Sequence, residues 1–350
     1  MPQALYNTLR RVVSPGTGHY HRGLLPNPQE EVMSASTWPE SVKIVDTHYI
    51  KEENAAVYLL IEGDRAAFVD NNTSRAVPRL LAALEENGLT PEQVDYLIVT
   101  HVHLDHAGGT AALLEHCPNA TVLAHPKAAR HLAAPERLIA GTRMVYGDEL
   151  YDELYGEIKP VPAERIRSME DDEELTWKSR RLRFFYTYGH ATHHFCIHDL
   201  ATNCLFTGDA LGIGRSHFQR PGPQFVHVST SPPEFNADDA RAAAEAIRAT
   251  HADFAFIAHY GVIDNVPLAV DQLLQSLDRM EAISVAAAES DLSDGELNGF
   301  CIERVGPAFD EHFKACGVLD IERDRACTQG DQMLNGMGLA IAAQRMRKAK

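Results

Sequence analysis

Thr100-His101-Val102-His103-Leu104-Asp105-His106-Ala107-Gly108-Gly109 puts three imidazoles and a carboxylate into six positions, directly after the apolar run 96–99. Such groups are costly to bury together unless something pairs them. A buried strand ending in this cluster therefore points to a metal site at the strand's carboxyl end. Strand alternation with period 2 puts His101 and His103 on one face. Asp105 and His106 then lie past the strand end, on the turn into a helix opened by Gly108 and Gly109. One strand cannot wrap all four side chains around a single ion. The expectation is two adjacent cations, each completed from elsewhere in the chain.

The missing partners are expected at later strand ends, where three segments qualify. His190 sits in Tyr188-Gly189-His190-Ala191-Thr192-His193-His194, after an expected strand at 182–187. Asp209 sits in Thr207-Gly208-Asp209, after a strand at 204–206. His259 sits in Ala258-His259-Tyr260-Gly261, after a strand at 254–257. Each lies next to or near a glycine, which lets backbone approach closely. The recurrence says more than any one residue.

Around these motifs the pattern alternates strand-rich and helical blocks. Strands are expected at 42–46, 55–61 and 65–69, with a hairpin turn at Glu62-Gly63-Asp64, then a helix at 77–87 closed by Gly88. The strand at 95–99, the helix at 110–116 and the strand at 121–124 follow, then a mainly helical, tyrosine-rich stretch at 127–165 (Tyr146, Tyr151, Tyr155). A second block holds strands at 175–177, 182–187, 195–198 and 204–207, a helix at 237–249 and a strand at 254–258. Two similar halves predict two packed sheets with helices outside. From about 266 onward the pattern turns helical, at 268–288, 295–305, 308–316 and 331–348.

The 350 residues suffice for one large domain with an appendage, and 45% hydrophobic content can fill a core. Thirty-two basic against 49 acidic residues leave a net charge of −17, which repels nucleic acid and anionic lipid. No nucleic-acid or membrane partner is expected. The basic run 178–183 reads as a strand edge, and the tail 345–350 as a solvated helix end. Six scattered cysteines without a Cys-x-x-Cys pair fit a reduced compartment, with Cys196 and Cys204 read as core thiols. Without a sustained apolar segment near residue 1 or a run of about 18 apolar residues, the expected location is the cytoplasm.

The constellation resembles the metallo-β-lactamase superfamily. The matches are His-x-His-x-Asp-His at 101–106, Gly-His at 189–190, Gly-Asp at 208–209, His259, and Asp70 closing the strand that runs to Val69. The resemblance covers roughly residues 40–265 and implies an α/β (α+β) fold, an αββα sandwich with metals at one edge of the two sheets. Residues 1–40 then form an N-terminal arm, 41–265 the catalytic domain, and 266–350 a C-terminal helical extension. The resemblance implies that His101, His103 and His190 hold one ion. Asp105, His106 and His259 hold the other, Asp209 bridges, and Asp70 orients ligands from behind. His194 matches the second histidine of a Gly-His-x-x-Gly-His pattern, with His193 where glycine is usual, and is expected behind the ligands like Asp70. The implied cofactors are two divalent ions, zinc ahead of iron or manganese. Asp105 would also accept a hydrogen bond from the nucleophile, and Tyr260 would steady an oxyanion.

Superfamily members act on many substrates, so the substrate must be argued separately. Flavodiiron members typically carry glutamate where this chain has His103, nucleases bring a basic face, and β-lactamases are normally exported. What remains is a small-molecule hydrolase, with a thioester, ester or lactone as substrate. An iron-dependent dioxygenase acting on a persulfide is the alternative. The C-terminal helices are expected either to roof the site or to form a homodimer contact. His125 reads as a helix cap, and His217 and His227 as either substrate-facing or surface residues.

Overall fold

The computed structural model describes residues 38–214, 224–318 and 321–349. The N-terminal arm, apart from its last residues, and His217 lie outside the described residues.

The first sheet is built from β1 (Val42–Asp46), β2 (Ala56–Glu62), β3 (Arg65–Val69), β4 (Val94–Val99), β5 (Thr121–Ala124) and β6 (Ile166–Ser168), in that spatial order. β1, β2 and β3 pair antiparallel, β2 and β3 through the tight turn at Gly63-Asp64. β3 to β6 run parallel because helices intervene: α1 (Val77–Glu86), α2 (Leu104–Ala107), α3 (Thr110–His116), α4 (Pro126–Ala133), α5 (Glu136–Tyr146) and α6 (Asp148–Leu154). The second sheet uses β7 (Glu174–Trp177), β8 (Arg180–Tyr186), β9 (Phe195–Asp199), β10 (Cys204–Gly208), β11 (Phe254–Ile257) and β12 (Gly261–Ile263). Its order is β12-β11-β10-β9-β8-β7, antiparallel except where α7 (Ala237–Ala249) connects β10 to β11. Four helices follow: α8 (Val266–Glu289), α9 (Leu297–Ala315), α10 (Ile321–Cys327) and α11 (Gln329–Ala349).

Three apolar layers hold these pieces together. Between the sheets, Tyr58, Val69, Ile98 and Leu123 meet Phe184, Phe195, Phe206 and Phe256. Outside the first sheet, Phe68, Leu97 and Val99 pack under Leu80, Leu84 and Leu113 of α1 and α3. Outside the second, Leu205, Ala255 and Ile257 pack under Ile247, Leu273, Phe309 and Leu339 of α7, α8, α9 and α11. Each fully buried phenylalanine or leucine contributes about 1.5–3 kcal/mol relative to exposure. The result is helix, sheet, sheet, helix, the expected αββα sandwich.

Several local expectations are corrected. The stretch 127–165 is α-helical to Leu154 with a 3-10 turn at Ala163–Arg165, and β6 follows unannounced because Ile-Arg-Ser is too short to show a period. The two expected helices at 295–305 and 308–316 form one helix that runs through Pro307. α10 and β12 were too short to read. Cys196 and Cys204 are both buried and are not joined in a disulfide. No helix among the described residues is long and apolar enough to cross a membrane.

Candidate metal centre

The topology gathers the polar motifs. β3 and β4 are parallel, as are β10 and β11, and β8 runs alongside β10 across the antiparallel β9. Their carboxyl ends deliver Asp70, the 101–106 motif, His190, Asp209 and His259 to one edge of the sandwich. Backbone bonds stitch the two sheets there, Phe195 N–H to the Thr100 carbonyl (3.1 Å) and Ala56 N–H to the Ala258 carbonyl (2.8 Å). His101 and His103 are not on β4, which ends at Val99. They lie in the loop beyond it, and Asp105 and His106 occupy the one-turn helix α2. Gly108 closes that turn and Gly109 is the N-cap of α3, so the two glycines open the helix at 110–116 as expected.

Hydrogen bonding fixes which ring nitrogen each histidine turns inward. The His106 Nδ1 proton points at Asp70 Oδ2 (3.1 Å), and that of His259 at the Asn54 carbonyl (3.1 Å). His190 Nδ1 faces the Ser229 carbonyl at 3.5 Å. The Thr100 hydroxyl donates to Asp70 (2.9 Å) and so accepts from His101 Nδ1 (3.2 Å). Each of these four rings carries its Nδ1 proton outward and aims Nε2 inward. The lone pairs of His101 and His190 then converge on His103 Nδ1, at 3.1 and 2.9 Å. One proton on His103 can serve only one of them, whereas a cation between the three satisfies all.

Asp209 stands in the middle. Its Oδ2 lies 3.4 Å from His190 Nε2 and its Oδ1 3.6 Å from His106 Nε2 and 3.8 Å from His259 Nε2. Asp105 Oδ2 lies 3.3 Å from His259 Nε2 and 3.7 Å from His106 Nε2. Both His106 Nε2 and Asp209 Oδ1 are buried without a hydrogen-bond partner. Three overlapping groups of donor atoms, each within 4.8 Å of one another, result: His101, His103 and His190; His101, His106 and Asp209; Asp105, His106 and His259. Orphaned inward atoms and this donor chemistry fit divalent cations.

The electrostatics agree. Burial holds His101 well below the usual imidazole range and brings His103 and His190 down to about 3. These rings are neutral at pH 7, with lone pairs available. Burial alone would lower His106 too, but the carboxylates of Asp209, Asp105 and Asp70 override it and push His106 up to about 10. That end of the cluster draws positive charge. Burial would raise Asp105, yet His106 and His259 hold it well below the carboxylate range.

Around this cluster, Asp70 takes Thr100 N–H (2.9 Å) and the Thr100 hydroxyl while holding His106. His194 is fully buried, bonded to the Thr187 hydroxyl (2.8 Å), and accepts the Asp209 N–H at Nε2 (3.2 Å). It sets the turn that presents Asp209. Gly208 in that turn has φ +48°, and a Cβ there would stand 2.6 Å from His194 Nε2 and 2.7 Å from Thr100 Oγ1. His193 accepts from Val102 N–H (3.4 Å) and lies 3.6 Å from Glu234. His125 caps α4, accepting from Lys127 N–H at 3.0 Å, and His227 is buried against Phe309.

Tyr260 is not brought to the cluster. Its ring packs against the inter-sheet core, and the carboxylates bearing on its hydroxyl are Asp46 and Glu53. Tyr146, Tyr151 and Tyr155 instead join Tyr49, Leu104, Ile302 and Met333 in an apolar group. Burial and then Asp105 raise the Tyr49 and Tyr146 hydroxyls, so both stay protonated beside that carboxylate. Sequence reading missed Thr100, Asn54, Ser229 and Tyr49. Thr100 was visible beside the motif, but Asn54 and Ser229 act through backbone carbonyls, which carry no side-chain signal.

A family model of the metallo-beta-lactamase superfamily matches residues 51–259. The chain belongs to that superfamily. A metallo-beta-lactamase fold-containing protein of Sulfurisphaera tokodaii is 33% identical over 125 residues, 35% of this chain and 46% of its own. A hydroxyacylglutathione hydrolase of Aeromonas hydrophila is 26% identical over 162 residues, 45% of this chain and 48% of its own. The chain thus spans about half the length of these curated relatives. A solved metallo-beta-lactamase family protein from Thermus thermophilus shares the fold, with TM-score 0.59, 18% identity, and coverage of 88% of this chain and 94% of that one.

Proposed function

We propose that the protein is a dinuclear metal-dependent hydrolase of a small thioester, ester or lactone. The observation that carries this reading is Asp209, buried between His190 and His106, with its Oδ1 and the facing His106 Nε2 left without partners. His101, His103 and His190 would hold one cation and Asp105, His106 and His259 a second, with Asp209 shared. Two such cations supply Lewis acidity and bring the pKa of a captured water near neutrality. Asp70 and the Asn54 and Ser229 carbonyls keep the Nδ1 protons of these rings outward, so each Nε2 already faces inward and only the second proton of His106 would have to leave. Asp105, held ionised by His106 and His259, is placed to accept a hydrogen bond from the attacking water. The protonated hydroxyls of Tyr49 and Tyr146 lie on the Asp105 side and can donate to substrate oxygen. The similarity to a hydroxyacylglutathione hydrolase supports a thioester within the class.

The test is thiol release from a panel of acyl-thioesters, with parallel ester and lactone assays, by protein loaded with zinc, iron or manganese. We expect turnover that His103→Ala abolishes. No hydrolysis across all three substrate types would overturn the hydrolase reading. Oxygen uptake with a persulfide would replace it by the redox one.

A further inference from the structure

The C-terminal helix α11 reaches the back of the metal centre. Thr230 N–H donates to Asn335 Oδ1 (2.8 Å), and Asn335 Nδ2 donates to the Val228 carbonyl (3.0 Å). The Thr230 hydroxyl closes a third bond, onto the Asn335 carbonyl (3.0 Å). One buried asparagine therefore brackets Ser229 from both sides, using its amide as both donor and acceptor. The helix comes this close because residue 338 is glycine: a Cβ there would fall on the Thr230 carbonyl. From the other side, Val228 N–H donates to Ser276 Oγ of α8 (3.1 Å). The segment meets the donor cluster through the Ser229 carbonyl, which faces His190 Nδ1 at 3.5 Å.

We infer that Asn335 is a positioning residue for the metal centre: by clamping Val228 and Thr230 it holds the Ser229 carbonyl under His190, fixing that ring's tautomer with Nε2 toward Asp209. The inference rests on the reading of His190 as a metal ligand. Physically, a partner behind a ligating imidazole selects the tautomer and restrains ring rotation, and its loss typically weakens metal binding about 10–100-fold. The clamp lies 105 residues from Thr230 in sequence and outside the segment matched by the family model. It makes α11 part of the metal site and not only a cover over the second sheet.

The test uses the full chain, with zinc(II) removed by a chromogenic chelator and cobalt(II) as a spectroscopic probe. Three variants are compared. Asn335→Ala removes the clamp. Arg345→Ala removes another bond of the same helix, to the Phe235 carbonyl, and leaves the three bonds around Ser229 in place. His190→Ala removes the ligand itself. We expect Asn335→Ala to give up one metal equivalent about tenfold more readily, with an altered cobalt ligand-field spectrum. Arg345→Ala should match wild type, and His190→Ala should lose that equivalent most severely. If His190→Ala weakens binding but Asn335→Ala does not, the inference falls and the ligand reading stands. If His190→Ala binds as wild type, the ligand reading falls and takes the inference with it. Equal weakening in Arg345→Ala would mean general loosening of the helix and would also overturn the inference. Should Asn335→Ala not fold, Asn335→Asp keeps the acceptor for Thr230 while losing the donor to Val228, and the same outcomes decide.

Discussion

Asp70 shows how much one carboxylate can organise. It receives the Thr100 N–H and hydroxyl, which anchors the start of the histidine motif, and it receives the His106 Nδ1 proton, which turns Nε2 inward. Replacing it by asparagine keeps the volume but puts an amide N–H against either His106 or Thr100. Facing His106, that N–H would drive the imidazole proton to Nε2 and block the inward lone pair. We expect Asp70→Asn to retain the fold and lose about 10–100-fold in affinity for one metal equivalent. Chelator competition beside a far-ultraviolet circular dichroism spectrum measures this. Unchanged affinity would show that Asp70 serves the loop and not the imidazole.

At the scale of elements, the opposite ends of the strands carry a different device. Arg180, at the start of β8, is buried and reaches Glu62 at the end of β2 (3.1 Å), Asp199 at the end of β9, and the Ile61 carbonyl (3.1 Å). It ties the two sheets together away from the metal edge. A buried pair need not beat a hydrophobic replacement, but removing one partner strands the other's charge. Arg180→Ala leaves Asp199 fully buried without it and should cost about 3–5 kcal/mol in urea unfolding. Metal stoichiometry in the folded fraction should not change. A cost below about 1 kcal/mol would mean that water or a rearranged neighbour replaces the guanidinium.

For the whole molecule, pH is the informative variable. Burial depresses His103 and His190 to about 3, and His125, His193 and His312 to about 4, against an ordinary value of 6.5. Between those values and 6.5 the unfolded chain binds more protons than the folded one. The stability these groups confer is therefore complete above about 6.5 and lost as pH falls, toward 4 for His125, His193 and His312 and toward 3 for His103 and His190. Each contributes at most about 1.4 kcal/mol per pH unit in that window. His106 acts in the opposite sense: pushed up to about 10, it stabilises the fold below 6.5 and loses that contribution as pH rises through 10. The metal-stripped protein should melt highest near neutral pH, falling steeply on the acid side and gently on the alkaline side. A flat acid limb in calorimetry would show that these histidines are protonated in the folded protein too.

The chain's own order of residues determined the sandwich and the membership of the donor cluster. Short apolar runs, each ending in a histidine or aspartate near glycine, are local signals, and seven donors placed beyond strand ends leave few other arrangements. Of the contacts behind the donors, Asp70 and His194 were legible, but those made through backbone carbonyls or from distant helices were not. The Asn54 and Ser229 carbonyls behind His259 and His190, and Asn335 behind Ser229, are joined only by packing across long stretches of chain. Tyr260 illustrates the converse: adjacent to a donor in sequence, it faces Asp46 and Glu53 in space. Neighbours along a chain are fixed by covalent bonds, but the direction a side chain takes at a strand's end depends on which sheet, loop or helix closes over it, and only the tertiary structure decides that.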